Sequence, residues 1–170
     1  AEVREASQGV IRDPLAADLL LCRLAGLREP QAWKVAIGLT ETRAEAQAIA
    51  RRCLDGGFAA ISPDDPDDLN IGRLKSMVPG DCVVMHLRGR IGAVGRVTRP
   101  YYEIDREEAG PLDRCWWRRV GVEWIAGDRD YGDLLTGAQQ RFSVVQIEWE
   151  CFRAIAEMYR RDPAYDRLFR

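Results

Sequence analysis

The sequence predicts an α+β domain: a small, curved, mixed or antiparallel β-sheet or open barrel, flanked by helices and preceded by an extra N-terminal helix. Three observations lead there. The apolar segments run helix, strand, helix, then a series of strands, then helix, without the regular alternation of a parallel doubly wound sheet. The later strands are joined by a tight Arg88-Gly89 turn and by Gly/Asp-rich loops, which suits antiparallel pairing. Gly92, Gly95 and Gly121 fall inside strand-like runs, where glycine permits bulges and strong curvature.

The elements follow in order. Residues 13–28, DPLAADLLLCRLAGLR, open with Asp13 as N-cap and Pro14 at the first helical position, and carry an apolar stripe at Leu15, Leu19, Cys22 and Leu27. WKVAIGL, from Trp33 to Leu39, is a short strand. Thr40 or Thr42 caps the next helix and Gly56-Gly57 stops it. FAAIS is a second short strand, PDDPDDLN an acidic, proline-broken loop, and IGRLKSMVPGD a short helix or turn. CVVMHL and RIGAVGRVT form a hairpin. RPYYEIDREEAGPLDR is a long loop, CWWRRVGVEWI a strand, AGDRDYGDLLTGAQQ another loop, FSVVQI the last strand and EWECFRAIAEMYRR a closing helix. The expected organisation is a helical extension over 1–30, the sheet domain over 31–162 and a tail over 163–170.

Bulk properties exclude several classes. The 170 residues suffice for one domain with a self-sufficient core. Twenty-five Lys and Arg against 27 Asp and Glu leave a net charge of −2, so strong global attraction to nucleic acid or to an anionic membrane is not expected, whereas a local basic patch is allowed. No apolar run approaches the ~20 residues of a membrane span. Five widely spaced cysteines without a CxxC pair speak against a zinc knuckle or a disulfide framework, and for a reducing cytoplasmic setting.

Little catalytic chemistry is available. His86 is the one histidine, and it reads as a hydrogen-bonded core residue or as a polar group lining a pocket. The acidic run Asp64, Asp65, Asp67 and Asp68 reads as a solvated loop. Gly89, Gly92 and Gly95 are spaced GxxGxxG and lead into a strand, unlike a nucleotide-phosphate loop. The expectation is a binding module with no catalysis, no metal and no cofactor.

What the chain offers is aromatic and basic. WWRRVGVEW, from Trp116 to Trp124, holds three of the five tryptophans. Period-2 alternation puts Trp116, Arg118, Val120, Val122 and Trp124 on one face and Trp117, Arg119 and Gly121 on the other. Trp124 reads either as core beside its valines or as a binding residue. Arg88, Arg90, Arg96, Arg99, Arg118 and Arg119 lie on consecutive strands, facing phosphate or solubilising an exposed sheet face.

Four of these stretches, in this order, resemble the PUA-like superfamily: WKVAIGL followed at once by a helix, GGFAAIS, VPGDCVVMHLRGRIGAVGRVTRPYY, and WWRRVGVEWI. Over about residues 33–160 the likeness is to its EVE and YTH branch, and in particular to the EVE-like N-terminal domains of modification-dependent restriction GTPases. The resemblance implies a curved sheet that reads a modified, flipped base of nucleic acid in an aromatic pocket, with modified DNA favoured over RNA and an effector nuclease or NTPase as partner domain or subunit. It places Trp124 as the second cage tryptophan, Phe58, or a neighbour up to Ile61, as the first, and Gly38, Leu39 and Thr40 at the base edge. Ser62, His86 and Trp117 complete the expected pocket, and Arg88, Arg90, Arg118 and Arg119 are the expected backbone contacts. Gly38-Leu39-Thr40 and Phe58 depart from the YTH pattern, which speaks against N6-methyladenine read in YTH style and leaves a different modified base, such as a modified cytosine, or loss of base reading. Two alternatives use other residues. One is a protein-docking or small-ligand module, with the 13–28 helix and the Trp149–Tyr159 helix as docking surfaces. The other is a hydrolase using His86 with Asp81 or Cys82.

Overall fold

The computed structural model describes residues 21, 24–25, 27–37, 42–61, 68–105, 117–130, 134–135 and 143–169. The elements are β1 (Ala32–Ile37), α1 (Arg43–Gly56), β2 (Phe58–Ala60), α2 (Asp68–Ser76), β3 (Cys82–Leu87), β4 (Arg90–Glu103), β5 (Arg118–Arg129), β6 (Val144–Ile147), α3 (Trp149–Glu157) and α4 (Tyr165–Phe169). Six strands form one sheet in the order β2-β5-β4-β3-β1-β6. Among the described residues β1 and β3 alone pair in parallel, and the other pairs are antiparallel. The sheet curls into a half-barrel with helices on both faces, the expected α+β class.

Local sequence accounts for both ends of α1 and for the β3–β4 turn. Thr42 caps α1: its hydroxyl accepts from the Glu45 amide, and the Glu45 carboxylate accepts from the Thr42 amide at 2.9 Å. This is a capping box. Gly57, at φ 63, closes the helix in the left-handed region, its N–H directed at the carbonyls of Cys53 and Leu54. Between the caps, Ala46, Ile49, Ala50 and Cys53 recur at helical spacing and are buried. Arg88 and Gly89 both have positive φ, as a two-residue hairpin that follows the strand twist requires.

β1 and β3 are buried on both faces because a core lies on each side. One core joins Trp33, Val35, Ile37, Val83 and Met85 to α1, to Leu74 of α2 and to Met77. The other joins Ala32, Cys82, Val84, Ile91 and Ile125 to Phe152 and Ile155 of α3 and to Leu168 and Phe169 of α4. Residues 165–169, expected as part of a tail, are thus a folded helix whose last two side chains close the second core. Leu21 and Leu24 are helical, and the remainder of the 13–28 segment lies largely outside the described residues. No described helix is long and apolar enough to cross a membrane.

Curvature has a steric record. A Cβ on Gly95 would stand 2.5 Å from the Glu123 carbonyl oxygen and 2.7 Å from the Trp124 ring, so β4 and β5 approach there as only glycine allows. Register shifts fall between Met85 and His86, Ile91 and Ala93, Val97 and Arg99, and Arg99 and Tyr102. The last two correct the sequence reading. Arg99–Glu103, expected in a loop, continue β4 as a ribbon paired only with β5. Pro100 is tolerated there because it sits between two irregular pairings. Ala126–Arg129 likewise extend β5 rather than starting a loop.

Asp81 ties the start of the domain to the β3 turn. Its buried carboxylate accepts from the Arg28 guanidinium at 2.7 and 3.1 Å, the Gln31 amide at 2.9 Å, the Trp33 indole at 3.0 Å and the Val78 amide at 3.2 Å.

Candidate nucleic-acid interface

Where β2, β5 and the far end of β4 meet, arginines lie over aromatic rings. Tyr102 of β4 stands opposite Arg119 of β5, and Ala60 of β2 opposite Arg119 on its other side. The Arg119 guanidinium lies 3.8 Å from the centre of the Phe58 ring, Arg118 lies 4.4 Å from Trp117, and Arg99 lies 4.0 Å from Tyr102. On the neighbouring α2, the Lys75 ammonium lies 5.1 Å from the centre of Tyr101. Each such pair contributes about 0.5–2 kcal/mol, rising as water is excluded. Arg119 and Phe58 are buried; Trp117, Arg118, Tyr101 and Tyr102 are half-buried; Arg99 is exposed. Burial, then a hydrogen bond to Glu103, raises the Tyr101 hydroxyl to about 12, so it donates at neutral pH. Flat half-exposed rings alternating with guanidinium groups can stack bases and hold phosphates.

Phe58 and Trp124 meet at the seam between β2 and β5. The Trp124 indole N–H donates to the Phe58 carbonyl at 3.2 Å, tying β5 to the edge strand β2. Trp124 is half-buried against the first core. The Phe58 ring lies over Gly56, where a Cβ would come within 2.5 Å of it. Ile61 is 1% exposed and belongs to the same core. Gly38, Leu39, Thr40, Ser62 and Trp116 lie outside the described residues.

His86 does not join that region. Strand alternation puts it on the face of Cys82 and Val84, under α3 and α4, opposite Trp33, Met85 and Trp124. It is 4% exposed, and burial, then the charge of Lys34, lowers its pKa to about 4. A buried neutral imidazole, with Cys82 fully buried and the Asp81 carboxylate already holding its donors, leaves the hydrolase alternative without a site. Among the described residues no group of three His, Cys, Asp or Glu side chains could hold a metal ion.

The four expected backbone arginines do not form one patch. Arg118 pairs with Glu103 at one end of the β4–β5 ribbon, and Arg90 begins β4 at the other. At about 3.3 Å per residue these ends are roughly 40 Å apart along the strand. Arg88 and Arg90 line a cleft of about 850 Å³ beside α1. Arg96 is structural, its guanidinium donating to the carbonyls of Gly80 and Leu168. Lys75, Tyr101 and Tyr102 were not expected at the interface. The Tyr101-Tyr102 pair beside Arg99 is the signal in the sequence, hidden by the proline between them.

No protein-family model matches the sequence, and no curated protein matches it significantly. Solved structures match in fold. The YTH domain of Zygosaccharomyces rouxii MRB1, in complex with N6-methyladenosine RNA, superposes with a TM-score of 0.54 at 12% identity, covering 78% of this chain and 88% of that one. The Pho92 YTH domain in complex with m6A gives 0.54 at 11%, covering 82% and 89%. A hypothetical protein from Leishmania major gives 0.53 at 12%, covering 77% and 95%. At these identities the likeness is one of fold.

Proposed function

We propose that this chain is a non-catalytic reader domain that binds nucleic acid and holds one modified base against its aromatic side chains. The observation that carries the reading is the set of arginine–aromatic pairs at the β2–β4–β5 end, on the fold of domains solved with methylated RNA. Trp117 and Tyr102 are the stacking surfaces and Arg99 and Arg118 the phosphate contacts, beside the buried Arg119–Phe58 pair, while Trp124 anchors β5 to β2. Extruding a base costs a few kcal/mol and stacking returns roughly 1–3 kcal/mol, so phosphate contacts supply much of the affinity.

The reading extends to a flipped base in modified DNA, with a nuclease or NTPase effector in a restriction-type system. That extension rests on the resemblance of the four sequence stretches to EVE-like domains alone; the YTH neighbours were solved with methylated RNA or m6A, so the test uses both polymers. Fluorescence titration of short DNA and RNA strands and duplexes, unmodified or carrying N6-methyladenine, 5-methylcytosine or 5-hydroxymethylcytosine, is expected to give a preference for one modified oligonucleotide. Trp117→Ala is expected to abolish that preference while the protein stays folded. Arg118→Ala is expected to weaken all oligonucleotides alike and flatten the salt dependence. Salt-sensitive binding without base preference would reduce the domain to a backbone binder. No binding at moderate salt would overturn the reading in favour of a docking module.

A further inference from the structure

We propose that the cleft between α1 and the β3–β4 hairpin is a second binding site, separate from the aromatic end, that takes a nucleoside phosphate. At about 850 Å³ it lies within the range of small-molecule sites. Its two walls are basic. Arg43, Gln47, Arg51 and Asp55 follow one another at four-residue spacing along one face of α1, roughly 6 Å apart per step. Arg88 and Arg90 face them from the hairpin. Four guanidinium groups meet two carboxylates, Asp55 and Asp128, in a chain whose net charge is −2. Arg90 is already paired with Asp128 and Asp130. Among the described residues neither Arg43 nor Arg51 has an ion-pair partner, and both are exposed. Arg43 and Arg51, two steps and about 12 Å apart on the wall with Gln47 between them, offer exposed guanidinium groups that suit phosphate oxygens.

The floor has the opposite character. Ala50, Leu54, Met85, Leu87 and Ala126 present apolar groups, and a Cβ on Gly92 would meet nothing closer than the Met85 sulfur at 3.5 Å, with Leu87 and Met85 carbons at 3.8 Å. A polymer backbone needs the arginines but no such floor. A free anion needs no floor either. A flat base or nucleoside uses it, and Asp55 can accept from amino or ribose hydroxyl groups at the end of the α1 row remote from Arg43.

The test is isothermal titration of the whole chain with AMP, GMP, CMP and UMP, against adenosine and inorganic phosphate. At least one nucleotide is expected to bind tenfold or more tightly than either half-molecule. Arg43→Ala/Arg51→Ala is expected to weaken it at least tenfold, and Ala126→Trp, at an exposed strand position, to block it by filling the floor. Neither variant should alter binding of the preferred modified oligonucleotide, which separates failure here from failure of the reader assignment. Equal binding of phosphate and nucleotides, nucleotide binding indifferent to both variants, or loss of oligonucleotide rather than nucleotide affinity in the double variant would each overturn the proposal.

Discussion

Lys34 sits in the middle of β1, fully buried, opposite Val84 on β3 and Val145 on β6. Burial lowers its pKa from 10.5 to about 8. At pH 7 it is protonated both folded and unfolded, so the folded state carries the cost of desolvating the charge. Two and a half pKa units at 1.36 kcal/mol each make that cost about 3 kcal/mol. Lys34→Met keeps the unbranched stem and removes the charge, and is expected to stabilise the protein by about 1–3 kcal/mol at pH 7. The pH dependence identifies the cause. Between pH 8 and 10.5 the unfolded chain holds the Lys34 proton and the folded chain does not, so wild-type stability gains from this group as pH rises. The advantage of Lys34→Met should therefore be largest below pH 8 and shrink to its packing component by pH 10.5. His86 adds an acid limb. Its folded pKa of about 4 lies below the unfolded 6.5, so stability is lost as pH falls from 6.5 to 4. Removing the Lys34 charge should raise that pKa and make the loss shallower. Urea unfolding followed by tryptophan fluorescence from pH 4 to 10.5 measures both. A destabilised Lys34→Met at pH 7, or an advantage that does not change between pH 8 and 10.5, would refute the reasoning.

Three further expectations concern the frame. Gly95→Ala should cost about 1–3 kcal/mol in chemical denaturation, because its methyl would stand against the Glu123 carbonyl and the Trp124 ring; a neutral result would mean the strands separate freely there. Asp81→Asn should cost about 3 kcal/mol and expose the Gln31 amide to hydrogen exchange, since one oxygen accepts both that amide and Arg28. Thr42→Ala should cost about 1 kcal/mol in thermal unfolding through loss of the α1 cap.

What could be read without coordinates was written locally. Thr42, Glu45 and Gly57 mark the ends of α1 through chemistry confined to a few neighbours, and Arg88-Gly89 marks a turn because its glycine takes positive φ without steric cost. Parity within a strand is also local, so the two faces of β3 were legible. Which core each face meets was not: that His86 and Trp124 lie on opposite sides depends on register between strands, which no short-range pattern encodes. The arginines misled for the same reason. Adjacency in sequence across the hairpin suggested one patch, whereas the length of β4 carries Arg90 and Arg118 to opposite ends. The proline at position 100 suggested a loop because its tolerance depends on a bulge, a property of the pair and not of either strand.

The one parallel pairing in the sheet bears on how the chain is assembled. β3, β4 and β5 are successive neighbours and can zip together as they form, whereas β1 rests between β3 and β6, the last strand to be made. On a ribosome, β1 can gain β3 on one rim once residue 87 has emerged, but its other hydrogen-bonding rim stays open until β6 has been made. Until then one rim of WKVAI is an open apolar template, and a nascent chain stalled before β6 is the species expected to need a chaperone.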